Sequence, residues 1–165
     1  MTVFLVGMPG CGKTTIGKLL AKRLNMAFLD TDQVIEEIYN IRIPLIFELF
    51  GEATFRKMED DLMQGFNENT IVVATGGGLP CHNSLVHNLK SKGTTIFIER
   101  NLENIALDIH ENHQRPLIQT TDFNTTLKAI QAIYNQRISC YSQAHFKVHN
   151  NSKLEQVVEE IIQLL

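Results

Sequence analysis

The eight residues at 7–14, Gly-Met-Pro-Gly-Cys-Gly-Lys-Thr, restrict what this chain can become more than any other stretch. They match G-x-x-x-x-G-K-[ST] at every defined position. The flanks fit as well. Residues 2–6 are a short apolar, β-rich run, and residues 14–24 place Ile16, Leu19, Leu20 and Leu24 at helical spacing. A strand, a Gly-rich loop and a helix in that order make a cradle for phosphate. Glycines let the backbone curl so that several N–H groups converge on phosphate oxygens. The helix start adds free N–H groups and its positive dipole end. Gly10, Cys11, Gly12, Lys13, Thr14 and Thr15 are the expected contacts to a nucleoside triphosphate. Lys13 is expected at the β- and γ-phosphates, and the Thr14 hydroxyl on a bridging Mg²⁺. An ATP-using phosphotransferase is the expected class. Cys11 reads as a small residue tolerated in the loop.

The rest of the chain alternates strand and helix patterns. Residues 27–29 read as a second strand, 71–74 as a buried third, 94–98 as a fourth and 146–148 as a fifth. Helices are predicted from Gln33, over 44–50 and 52–67 with Gly51 between them, and over 84–92, 102–110, 123–144 and 154–165. Such alternation predicts one α/β domain over 1–165, a three-layer α/β/α arrangement around a five-stranded parallel sheet. Sites in such folds lie at the carboxyl ends of the strands. The loop at 7–14, Asp30-Thr31-Asp32 and Gly76-Gly77-Gly78 all fall there. Residues 111–122 are polar and aperiodic, and a mobile lid loop is expected. The apolar stripe of the last helix is core packing.

Composition excludes several classes. The 165 residues are 44% hydrophobic and 20% charged, enough for one packed core. A net charge of −3 argues against bulk nucleic-acid binding. No apolar run approaches the ~18 residues of a membrane span, and the start lacks a signal-peptide pattern. Three cysteines, Cys11, Cys81 and Cys140, stand far apart without metal-ligand spacing, which suits a reducing cytoplasm. His110 and His113 are three apart with no third ligand evident, and read as solvated polar residues.

Two carboxylates at i and i+2, Asp30 and Asp32, suit a metal-shell partner and an acceptor for a substrate hydroxyl. They suit a helix N-cap equally well. Three arginines stand out as anion ligands. Arg56 lies on a helix with Glu59 at i+3, Arg115 precedes Pro116 in the polar loop, and Arg137 lies late in a long helix. An arginine in a loop such as that of Arg115 can close on a γ-phosphate and stabilise developing charge.

Taken together, GMPGCGKTT at 7–15, LDTDQVIEE at 29–37, IFELFGEATFRKME at 46–59, ATGGG at 74–78, RPLI at 115–118 and RISCYSQA at 137–144 resemble the shikimate kinase family, in order and over nearly the whole chain. That resemblance implies a nucleoside-monophosphate-kinase-like fold with sheet order 2-3-1-4-5. It implies transfer of the ATP γ-phosphoryl to the 3-hydroxyl of shikimate, by a monomer. It assigns Lys13, Asp32 and Arg115 to catalysis, with Asp32 holding the ring hydroxyls and assisting deprotonation. Arg56 and Arg137 would clamp the carboxylate, and Gly76, Gly77 and Gly78 would let backbone approach the substrate. Thr14 and Asp30 would hold Mg²⁺, Asp30 through water, and Arg115 would lie over the phosphates. Asn40-Ile41-Arg42, Asp108 and residues 150–153 depart from the usual pattern, the last two at the adenine end. Gluconate or another sugar-acid kinase is the alternative within this architecture. A GTPase switch would carry an N-K-x-D-type motif, which is absent. A degenerate binding protein would not be expected to keep Lys13, Asp32, Arg56, Arg115 and Arg137.

Overall fold

In a computed structural model, the chain is described at residues 1–66, 70–111 and 122–165. Thr2–Val6 forms β1, and all five of its residues are buried. Helix α1 (Lys13–Leu24) returns over the sheet and stops where Asn25 turns left-handed at φ 52°. Then follow β2 (Ala27–Asp30) and α2 (Thr31–Tyr39). The second strand runs one residue further than its apolar pattern suggests. Helix α2 opens two residues before Gln33, because the Asp30 side chain caps it.

Helix α3 (Ile43–Gln64) is two helices end to end, broken at Gly51 (φ 76°, ψ 169°). The break was legible as a glycine between two periodic runs. Strand β3 (Ile71–Ala74) is wholly buried. The Gly-rich segment after it enters a 3₁₀ stretch (Leu79–Ser84) and then α4 (Leu85–Lys92). Strand β4 (Thr94–Glu99) leads to α5 (Leu102–Glu111). Helix α6 (Phe123–Tyr141), capped by Asp122, ends three residues before the predicted 144. Strand β5 (Phe146–His149) and α7 (Leu154–Leu164) complete the chain. The expected lid falls almost entirely at 112–121, outside the described residues.

The sheet order is β2-β3-β1-β4-β5, and every pairing is parallel. Phe4 lies opposite Val73 on one side and Thr95 on the other, so β1 is central. This explains why β1 is apolar from Val3 to Val6, since a central parallel strand is covered on both faces. The main core joins the sheet to α1, α4 and α7 through residues such as Leu5, Leu20, Leu89 and Val157. A second, smaller cluster of Ile35, Ile46 and Phe55 binds α2 to α3, with Phe47 and Phe55 rings 4.9 Å apart. That small core sets where Arg56 stands.

Candidate active site

The loop after β1 is built as its glycines require. Gly12 takes φ 101° at the start of α1 and offers no side-chain cap. The first N–H groups of α1 are thereby left for an outside acceptor. Lys13 is buried and folds back along the loop, donating to the carbonyls of Gly7 (2.9 Å) and Met8 (2.8 Å). Cys11 is fully buried behind it, and Thr15 is exposed on the first turn of α1.

Asp30 answers both readings left open by its position. One oxygen accepts from the Thr14 hydroxyl at 2.7 Å. The other accepts from the backbone N–H of Asp32 (3.1 Å) and Gln33 (3.4 Å). Asp30 is therefore the N-cap, and Asp32 is released from that duty. The Thr31 hydroxyl between them accepts from Gly76 N–H at 2.8 Å, locking α2 to the segment after β3.

Asp32 Oδ1 is buried and makes no hydrogen bond. Burial pushes its carboxyl up to about 6, and Asp30 adds to the push against the pull of Lys13 and Arg56. A Cβ on residue 76 would collide with that oxygen and push the Asp32 carboxyl aside. A Cβ on residue 78 would strike the Arg56 guanidinium in the same way. The Gly77 carbonyl accepts from Tyr141 Oη, whose ring stacks on Phe97 at 5.3 Å. Desolvation raises the Tyr141 hydroxyl well above its ordinary range, so it stays a donor.

Arg56 is held by two carboxylates. Its Nη1 donates to Glu59 Oε2 at 2.6 Å, and its Nη2 to Glu52 Oε1 at 2.8 Å. Glu59 is wholly buried, and its Oε1 has no partner. Both that oxygen and Asp32 Oδ1 approach the point where a Gly76 Cβ would lie. Burial pushes Glu59 up to about 7 despite Arg56. Neither Glu59 nor Tyr141 was singled out as a site residue from sequence. The spacing of Glu59 three residues after Arg56, and of Tyr141 four after Arg137, was the available signal.

Arg137 is half-buried on α6. Its backbone carbonyl lies 4.0 Å from Cys81 Sγ, and the charges of both Arg137 and Arg56 reach that thiol. The two arginines therefore flank one short turn, Leu79–Ser84. The fold also brings Cys81 and Cys140 together, although they are 59 residues apart in sequence (140 − 81). Contact with the Cys140 thiol and the nearby arginines hold Cys81 below its ordinary range. His110 is part-exposed and meets Phe123 edge-on at 6.4 Å. Arg115 and His113 lie outside the described residues.

The raised carboxyls of Asp32 and Glu59 carry a stability consequence. Folding holds both above their ordinary values of 3.8 and 4.5. Their contribution is full below those ordinary values and is lost as pH rises through about 6 and about 7. Shifts of this size are worth about 3 kcal/mol each. The ligand-free protein should melt at lower temperature at pH 8 than at pH 5, and Glu59→Gln should flatten that slope. Melting curves across a buffer series check this; an equal slope in both proteins would contradict it.

A parallel 2-3-1-4-5 sheet with a P-loop after its central strand, and a carboxylate and arginines on the same edge, defines a P-loop phosphotransferase for small molecules. The shikimate kinase family model matches residues 9–165. A shikimate kinase from Aquifex aeolicus (strain VF5) is 35% identical over 163 residues, covering 98% of this chain and 94% of that one. The crystal structure of shikimate kinase from Bacteroides thetaiotaomicron superposes with a TM-score of 0.93 at 29% identity, covering 99% of this chain and 97% of that one. Shikimate kinase from Acinetobacter baumannii, solved in complex with shikimate, gives 0.88 at 30% identity, with coverage of 99% and 91%. The chain belongs to the shikimate kinase family, a family of ATP-dependent kinases. Among the described residues, no helix is long and apolar enough to cross a membrane.

Proposed function

We propose that this chain transfers the γ-phosphoryl group of ATP to the 3-hydroxyl of shikimate, giving shikimate 3-phosphate and ADP. One observation carries the proposal. The P-loop shares a sheet edge with Asp32, whose buried oxygen lacks a partner, and with Arg56, whose guanidinium lies against Gly78. An acceptor that is both a polyol and a carboxylate needs those two partners side by side. The shikimate complex of the Acinetobacter baumannii relative supports that choice.

In this reading Gly10, Cys11, Gly12, Lys13, Thr14 and Thr15 bind the donor phosphates. Lys13 exchanges its two backbone carbonyls for phosphate oxygens. Asp32 takes the 3-hydroxyl proton as the new O–P bond forms and the bond to the ADP oxygen breaks. Arg56 and Arg137 hold the carboxylate. Glu59 fixes Arg56, and Tyr141 fixes the Gly77 peptide, so Gly76, Gly77 and Gly78 present backbone to the ring. Arg115 reaches the transferring phosphoryl group from its loop. Thr14 and Asp30 place two hard oxygens side by side, which suits Mg²⁺ bound with water and phosphate. Such an ion would screen the phosphate charge. The enzyme acts as a cytoplasmic monomer, with no nucleic-acid partner and no membrane.

The alternative acceptor is gluconate or another sugar acid. An ADP-release assay with shikimate, gluconate or no acceptor separates them. ADP release should rise only with shikimate, and equal release in all three would remove the assignment.

A further inference from the structure

The far end of the chain reaches back to the P-loop. Asn150 follows β5, and its backbone N–H donates to the Glu99 carbonyl at 2.7 Å, pinning it to the end of β4. Its side-chain Nδ2 donates to the Cys11 carbonyl at 2.8 Å. A Cβ on residue 12 would strike that nitrogen, so glycine at 12 makes room for the contact. The Cys11–Gly12 peptide is trans, because the described backbone contains no cis bond. Its carbonyl and its N–H therefore point in opposite directions. With the Cys11 carbonyl held on Asn150, the Gly12 N–H points to the opposite side of that peptide. The neighbouring peptide is held differently. Arg100 Nη1 donates to the Gly10 carbonyl at 3.0 Å, and Arg100 is itself paired with Asp108. The Cys11 N–H on that peptide is already engaged by the Met8 carbonyl at 3.2 Å. No acceptor meets the Gly12 N–H among the described residues.

We propose that Asn150 is a positioning residue for phosphoryl transfer: its side-chain amide orients the Cys11–Gly12 peptide so that the Gly12 N–H faces the phosphates of the donor nucleotide. The inference rests on the reading of residues 7–14 as the donor phosphate site. The choice of amide follows from the chemistry. An aspartate of the same shape would set an acceptor against the Cys11 carbonyl and repel it.

The test compares the full-length wild type with Asn150→Asp and Asn150→Ala. Calorimetric binding of MgADP, steady-state kinetics and melting temperature are measured on each. Both variants should bind MgADP about tenfold more weakly and show a matching rise in KM for ATP, the scale of one hydrogen bond to a charged group. KM for shikimate should stay within about twofold. In the wild type, MgADP should shift the Gly12 amide proton resonance downfield, and that shift should shrink in Asn150→Asp. Unchanged MgADP affinity in both variants would overturn the proposal. So would equal loss of both substrates in step with melting temperature, or a Gly12 resonance in the wild type that MgADP leaves unmoved. A wild type that fails to bind MgADP at all would instead strike at the reading of 7–14 itself.

Discussion

Asparagine in place of Asp32 is expected to lower kcat by roughly 10²–10⁴-fold, the usual range for a positioned general base, while MgADP affinity changes little. The substitution keeps the shape of the side chain and removes its ability to take a proton. Its Oδ1 is buried without a hydrogen-bond partner, and that burial raises the affinity of the carboxyl for a proton. Asp30, not Asp32, caps α2 and accepts from Thr14. Helix α2 and the donor site should therefore survive the change. The pH dependence gives a second handle. With the Asp32 carboxyl pushed up to about 6, wild-type kcat/KM for shikimate should fall as pH drops through that value, because the protonated form accepts no proton. The residual activity of Asp32→Asn should lack that limb. Unchanged turnover would remove Asp32 from the mechanism.

Removal of Arg56 should have the other large effect. Arg56→Ala should cost about 10²–10³-fold in kcat/KM for shikimate, the loss of a charged, two-point grip on a carboxylate. KM for ATP should move far less. This variant carries a second burden, since Glu59 is wholly buried and loses its guanidinium partner. Stranding a buried charge can cost about 3–5 kcal/mol of stability. Glu59 can escape part of that cost by taking a proton, because burial has already raised its carboxyl to about 7. Arg56→Lys separates the two effects. It leaves a cation beside Glu59 but loses the planar fork, so it should fold better than Arg56→Ala and still bind shikimate poorly. Initial rates with each substrate varied in turn decide the matter. Equal increases in both KM values would contradict a role confined to the acceptor.

These effects depend on contacts of two kinds of legibility. Local contacts could be read from spacing. Glu59 lies one helical turn from Arg56, and the Gly51 break separates two periodic runs. The Asp30 cap lies next to the helix it starts. Contacts closed by the sheet could not. Tyr141 reaches Gly77 across 64 residues, and Asn150 reaches Cys11 across 139. No pattern within either segment points to its partner, because the pairing depends on which strands lie side by side. The pairing of Cys81 with Cys140, 59 residues apart (140 − 81), is likewise set by the tertiary fold.

The sequence by itself determined the parallel α/β class, the phosphate loop at 7–14 and the residue types gathered at the strand ends. Glycine torsions, helix spacing and apolar runs act over a few residues, and a linear chain records them directly. Tertiary structure decided how Asp32, Glu59, Gly76, Arg56 and Arg137 share one edge. It left Asp32 free and Asp30 engaged, and it raised both buried carboxyls. Those outcomes turn on burial and on distances between segments far apart in the chain. Desolvation and charge coupling act through space, and they exist only once the sheet has brought its strand ends together.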